Sequence, residues 1–261
     1  MQNFITRDGT PPTEFRRIAR RELEAYRNVE LRDVRVEEIK GERDAFDARL
    51  GAGSALARRV LLCTGMIDEL PELEGFRALW GKSIFQCPYC HGWEIQDRAF
   101  GVLARSLELL EFAVFLRGWT REVVALTEGQ YSIPTELRSR LDRAGVRIDE
   151  RRITRLSASA DRLEQIEFER GEPLRVQVLF ARPAQRQVPA VELLELALDP
   201  AGYVQVDEMT RETSRSGIYA GGDLITPVQG AVLAAASGMR AAAALNHALT
   251  VELATSGALH A

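Results

Sequence analysis

Two cysteines separated by two residues, in Cys87-Pro88-Tyr89-Cys90-His91-Gly92-Trp93-Glu94, are the side chains of this sequence best suited to do chemistry. A pair at that spacing at the start of a helix closes a small disulfide reversibly. The helix N-terminus and a neighbouring histidine favour the thiolate, which is the form that attacks. His91 follows the second thiol directly and titrates near neutrality, so it is a candidate to pass a proton to or from it; a water-exposed histidine with no such role fits the position equally well. The same spacing can be half of a zinc site. Four ligands are then needed, and beyond the pair only Cys63 and the histidines at 91, 247 and 260 remain, which favours redox over metal. Two inert structural cysteines are the third reading, weakened by the Pro, Tyr, His and Gly around them. Cys63 ends the apolar run Val60-Leu61-Leu62 and is expected in the core as a small hydrophobe.

The elements that must hold these residues follow from periodicity. Thr13 to Arg27 spaces Phe15, Ile18, Ala19 and Leu23 as an amphipathic helix does. Short apolar or alternating runs at Val34 to Ile39, Ala45 to Leu50 and Arg59 to Cys63 read as strands between charged or glycine-bearing turns. From Arg98 to Glu128 the pattern is strand, helix, strand, a βαβ unit with parallel pairing, and Thr135 to Ala144 is a further helix. Gly217-Ile218-Tyr219-Ala220-Gly221-Gly222-Asp223 ends a strand. Pro227 to Leu249 reads as an alanine-rich helix whose small residues imply close packing against a neighbour. The fold class is α/β with mostly parallel sheets.

Composition narrows the function classes. The 261 residues are 46% hydrophobic, enough to bury a sizeable core in one large domain or two moderate ones. Lys and Arg number 34 against 38 Asp and Glu, a net charge of -4 with arginines scattered among acids, so nucleic acid is not the implied partner. The longest apolar stretch, Ile218 to Leu249, is interrupted by Asp223, Gln229 and Arg240, and no membrane span is expected. Met1 leads into a polar segment and there are only three cysteines, which points away from a secretory leader and a disulfide framework and towards a reducing cytoplasm.

The order Thr64-Gly65, then CPYCHGWE, then a βαβ unit, then GIYAGGD and Thr226-Pro227-Val228-Gln229-Gly230 resembles the low-molecular-weight thioredoxin reductases, FAD-dependent pyridine nucleotide-disulfide oxidoreductases, over nearly the whole chain. CPYCHG resembles a subgroup that includes dithiol oxidases of disulfide-bearing natural products. The resemblance implies two Rossmann-like domains: an FAD domain from residues 1–78 and 187–261, interrupted by a pyridine-nucleotide-type domain, 79–186, that carries the cysteines. It implies Cys90 as the thiol nearest the flavin, Cys87 as the one exchanging with substrate, and His91 as proton donor. Asp223 is implied on the ribityl chain of FAD, with Thr64, Gly65, Gly222, Val228 and Gln229 as further cofactor-binding residues. Gly221 and Gly222 permit a close backbone approach, and a helix beginning near Pro227 would aim its positive end at the flavin. The implied partner is a thioredoxin-like protein or a small-molecule disulfide or dithiol, and the implied state is a homodimer.

The sequence departs from that family twice. The family opens on a strand, a GxGxxG loop and a helix that seat the FAD pyrophosphate, and no such segment is present; about 30 or more residues of βαβ structure are expected to be missing. The glycine-rich turn of the second nucleotide site is replaced by Ala104-Arg105-Ser106-Leu107-Glu108-Leu109. Glu128 after the next strand would repel a 2′-phosphate while tolerating a ribose diol, so the site for NAD(P)H reads as degenerate. Loss of that site leaves two alternatives to a reductase, an oxygen-using oxidase of a small dithiol and an inactive remnant.

Overall fold

Strands whose every residue is buried need cover on both faces, and Phe100–Leu103 and Val123–Leu126 are of this kind. In the computed structural model, which describes residues 2–259 and so leaves His260 outside, they lie in a five-stranded parallel sheet. Its order is Ile84–Phe85, Val178–Phe180, Phe100–Leu103, Val123–Leu126, Val146–Asp149. Alternation sends Phe100, Val102, Ala125 and Phe180 to one face. There they pack with Leu110, Phe112 and Leu116 of the helix Leu107–Phe115 and the 3-10 turn after it, and with Leu141 of the helix Thr135–Arg143. Leu103, Val124, Leu126 and Leu179 face the other way, onto Leu156, Leu163 and Ile166 of an antiparallel sheet built from Ile153–Ser159, Arg162–Phe168 and Leu174–Arg175. The βαβ unit expected at Arg98 to Glu128 is present, and Ser106 caps its helix by accepting the Leu109 N–H at 3.4 Å.

This sheet belongs to one of two compact units, Glu69–Ala184 with Arg7–Gly9 and residues 2 and 3. Phe76 and Leu79, fully buried in its second core, explain why the unit begins at Glu69 and not near residue 79. The other unit holds Phe4–Thr6, Thr10–Asp68 and residues 185–259. An antiparallel sheet of Val36–Lys40, Phe46–Leu50 and Ser54–Ala57 packs there through Ile39 and Phe46. Leu62, Ile218 and Ala220 of the parallel pair Val60–Leu62 and Ile218–Ala220 join the same core, with Leu194 and Leu224.

Two sequence expectations are corrected in this unit. The alanine-rich helix starts at Ala231, because Val228 donates to the Thr226 hydroxyl at 3.1 Å and Gly230 is extended. It is also largely exposed, Ala241 being its buried residue, and close packing is confined to one crossing, where a Cβ on Gly221 would stand 3.0 Å from the Ser237 carbonyl. The amphipathic helix, Pro12–Leu23, likewise buries no residue.

Candidate active site

Cys87 ends the approach from strand Ile84–Phe85 in extended conformation and is the N-cap of the helix Pro88–Ile95, which Pro88 starts with its fixed φ. Both Cys87 and Cys90 are free, half-buried thiols. The Cys87 sulfur accepts the thiol proton of Cys90 and the backbone N–H groups of Cys90 and Tyr89, with the Arg182 charge adding to them. Against the opposing effect of burial these lower its pKa to about 6. Cys90, the donor in that bond and itself half-buried, is pushed up. The pair is therefore divided into a thiolate and a thiol at neutral pH. His91 stacks its ring on Phe85 at 4.2 Å and is otherwise exposed; the partial burial lowers its pKa.

Gly92 fixes the position of this helix. A Cβ there would lie 2.4 Å from Trp119 Nε1, so only glycine lets the helix rest on the indole, which in turn meets Tyr89 at 5.6 Å and Phe115 at 5.0 Å. Sequence spacing alone does not pair Gly92 with Trp119. Asn3 secures the same helix from outside by donating to the Tyr89 carbonyl at 2.7 Å.

The other group of predicted residues lies in the second unit. Gly222 has φ 90° and ψ -157°, a conformation open to glycine alone, and turns the chain from strand Ile218–Ala220 into Asp223. The Asp223 carboxyl is half-buried; burial raises its pKa, opposed by the Gly230 N–H that it accepts. Gln229 donates to Gln185 Oε1 at 2.7 Å. Gln185 donates to Asp68 at 2.8 Å and accepts from the Tyr203 hydroxyl at 3.1 Å, a polar cluster that residues so far apart in the sequence do not announce. Thr64 and Val228 are exposed, and Gly65 takes a positive φ of 65°. Cys63, expected in the core, is exposed: it follows the last buried residue of its strand, Leu62, and lines a groove of about 850 Å³ with Val36, Ala48, Leu61, Thr64 and Val188.

At the carboxyl ends of the parallel sheet the turn after Leu103 is filled by its own side chains. Ala104 is fully buried, and Tyr131 donates to the Ala104 and Ser106 carbonyls at 2.6 and 3.1 Å. Arg105 is paired with Glu128 at 2.9 Å, and the second Glu128 oxygen accepts the Ile153 N–H at 3.3 Å. The carboxylate that the sequence left free for a ribose diol is thus engaged within the protein.

A parallel sheet with crossover helices beside a CxxC helix, together with a Gly-Gly-Asp turn, can be set against known proteins. The sequence model for pyridine nucleotide-disulphide oxidoreductases matches residues 27–248. The chain belongs to that family. The thioredoxin reductase tcpT of Claviceps purpurea is 31% identical over 83% of this chain and 71% of its own length. A probable thioredoxin reductase of Arthroderma benhamiae is 30% identical over 49% of this chain, which spans only 34% of that relative. The crystal structure of HlmI superposes with a TM-score of 0.88 at 33% identity, over 98% of this chain and 82% of that one. Membership makes the chain an oxidoreductase acting on sulfur groups, in a family whose cofactor is FAD and whose electron donor is NADPH. The Gly222-Asp223 turn fits the flavin half of FAD: glycine keeps the backbone bare and the carboxylate has acceptor capacity for hydroxyls. The turn at residues 104–106 does not offer a pyrophosphate the same fit, since its carbonyls accept from Tyr131 and its arginine is paired with Glu128. Among the described residues no helix is long and apolar enough to cross a membrane, and no His, Cys, Asp or Glu cluster suits a metal ion.

Proposed function

We propose that this family member is a flavin-dependent thiol-disulfide oxidoreductase in which Cys87 exchanges with the substrate and Cys90 resolves the exchange. The observation that carries the reading is the division of the pair into a thiolate at the helix N-terminus and a thiol that donates to it. Towards a disulfide substrate, the Cys87 thiolate attacks one sulfur, a Cys87–substrate bond forms, and the substrate S–S bond breaks. The departing sulfur takes up a proton from solvent, and His91, the group next to the pair, is the residue we assign to pass it. Cys90 then loses its proton and attacks the Cys87 sulfur, releasing the second substrate thiol and closing the Cys87–Cys90 disulfide. The substrate gains two electrons and the pair loses two; the reverse sequence oxidises a dithiol. FAD, when bound, supplies the carrier that exchanges that electron pair with the cysteines.

Supporting the cofactor assignment, Asp223, Gly222, Gln229, Thr64, Gly65 and Val228 are the residues we assign to FAD. We assign the unit that contains them to the flavin and the unit of the cysteines to the pyridine-nucleotide-type domain. The substrate class is a thioredoxin-like protein or a small-molecule disulfide or dithiol, and the working form a homodimer, which sedimentation of the purified protein tests. The filled turn at residues 104–106 favours a second direction of flow, from substrate dithiol to oxygen. The deciding experiment follows the visible flavin spectrum under anaerobic dithiothreitol and then under NADPH. Bleaching by dithiol that is lost in both Cys87→Ser and Cys90→Ser supports the relay, and a serine variant that turns over normally removes it. Oxygen uptake with dithiol, in the absence of NADPH oxidation, selects the oxidase.

A further inference from the structure

Strands Ile84–Phe85 and Val178–Phe180 run parallel, with Phe85 opposite Phe180, and the Ala181 N–H donates to the Phe85 carbonyl at 3.0 Å. Each chain then continues two residues beyond its paired phenylalanine, one to Cys87 and the other to Arg182. The register thus delivers a cation to the edge of the sheet where the exchanging thiol leaves it. The guanidinium, on a side chain 45% exposed, rests on an aromatic seat: its Cζ lies 4.1 Å over the Phe112 ring, and Phe112 packs on Phe180 at 5.9 Å. Arginine suits this seat because it is weakly hydrated and stacks flat on an aromatic face while keeping its charge at every accessible pH. Glu108, 82% exposed, pulls on it from the helix Leu107–Phe115 at 3.6 Å, too weak and too wet a pairing to cancel the charge.

We propose that Arg182 is a positioning residue for the thiol chemistry, holding Cys87 as the attacking thiolate through a charge clamped on Phe112. This rests on the assignment of Cys87 as the exchanging cysteine. Among the described residues, Cys90 and the Tyr89 N–H act on Cys87 from its own helix and Arg182 from the end of the neighbouring strand, while Glu94 acts on His91. Cys90 contributes a hydrogen bond, whereas Arg182 contributes full charge, so the two are separable by substitution. The field of Arg182 at Cys87 acts in the direction the proposal requires.

The test is the pH dependence of iodoacetamide alkylation of the reduced full chain, read by mass spectrometry on the peptide containing Cys87. Neither flavin nor substrate is needed. Arg182→Gln is expected to raise the midpoint by about half a pH unit, slowing alkylation roughly twofold at pH 6, while Arg182→Lys keeps it near the wild-type value. An unchanged midpoint in Arg182→Gln overturns the proposal, as does an equal rise in both variants, which would mark loss of packing on Phe112 and not of charge. If Arg182→Gln does not fold, Glu108→Gln reads the same charge from its other partner: a lowered midpoint supports the proposal, and an unchanged or raised one opposes it. A wild-type chain that shows the Arg182 effect but no flavin-linked dithiol turnover would keep this inference and remove the function proposed above. Normal turnover by Cys87→Ser would remove the assignment on which it rests.

Discussion

Two cysteines of one type, three positions apart, become chemically unlike because one is the N-cap of a helix and the other sits inside its first turn. Cys87 collects the N–H groups of Tyr89 and Cys90 as well as the Cys90 thiol proton. Cys90 gives up a proton to that bond and stays a thiol. Alkylation of Cys87 should therefore reach half its maximal rate near pH 6 and level off above pH 7, whereas an ordinary thiol titrates near 8.5. The sign follows from the lowered value: the thiolate, and with it the rate, is lost as pH falls through 6. A midpoint above 8 would show that the helix start does not hold the anion. Gly92 is the second residue on which the site depends. Gly92→Ala sets a methyl 2.4 Å from the Trp119 nitrogen and should cost about 1–3 kcal/mol, as overpacking of a close contact does, measured by urea denaturation. The same variant should change the near-ultraviolet circular dichroism of the indole, and unaltered stability would mean that Trp119 yields without cost.

At the scale of elements, the burial pattern of the parallel strands explains why their sequence reads as continuous apolar runs, and their carboxyl ends explain where the chemistry gathers. Cys87, Arg105, Glu128 and Arg182 all follow directly on such ends, the place where a parallel sheet leaves side chains free of the ladder. The long helix Ala231–Thr255 is held differently. Its last turn carries Glu252, which receives Arg43 and Arg58 at 2.6 and 2.8 Å and the almost wholly buried Arg59, itself also paired with Asp44 at 2.6 Å. Glu252→Ala leaves the Arg59 guanidinium buried with one carboxylate in place of two. A loss of about 1–3 kcal/mol in urea denaturation is expected, with Glu252→Gln recovering part of it through a neutral hydrogen bond. A loss below about 0.5 kcal/mol would assign the helix anchorage to apolar packing instead.

For the molecule as a whole the prediction concerns the flow of electrons. With the turn at residues 104–106 closed by Tyr131 and by the Arg105–Glu128 pair, dithiothreitol should reduce bound flavin far faster than NADPH does in a stopped-flow spectrometer. Rapid bleaching by NADPH would show that the pair opens for the nucleotide. The cysteine pair, the βαβ unit around Phe100–Leu126 and the family itself were legible before any coordinates, because each is written in residues close together in the chain, where local spacing decides helix, strand and turn. The start of the alanine-rich helix is not legible in the sequence, because helix propensity carries no record of the Thr226 hydroxyl that holds Val228 in a turn. Exposure of Cys63 is not legible either, because an apolar run does not say which of its residues outlasts the covering elements. By itself the sequence determined that this protein is an α/β member of its family with a CxxC pair at a helix start. The placing of Arg182 beside Cys87, of Trp119 under Gly92 and of Arg105 on Glu128 was decided only by the tertiary structure, since strand register and packing join residues that no local interaction connects.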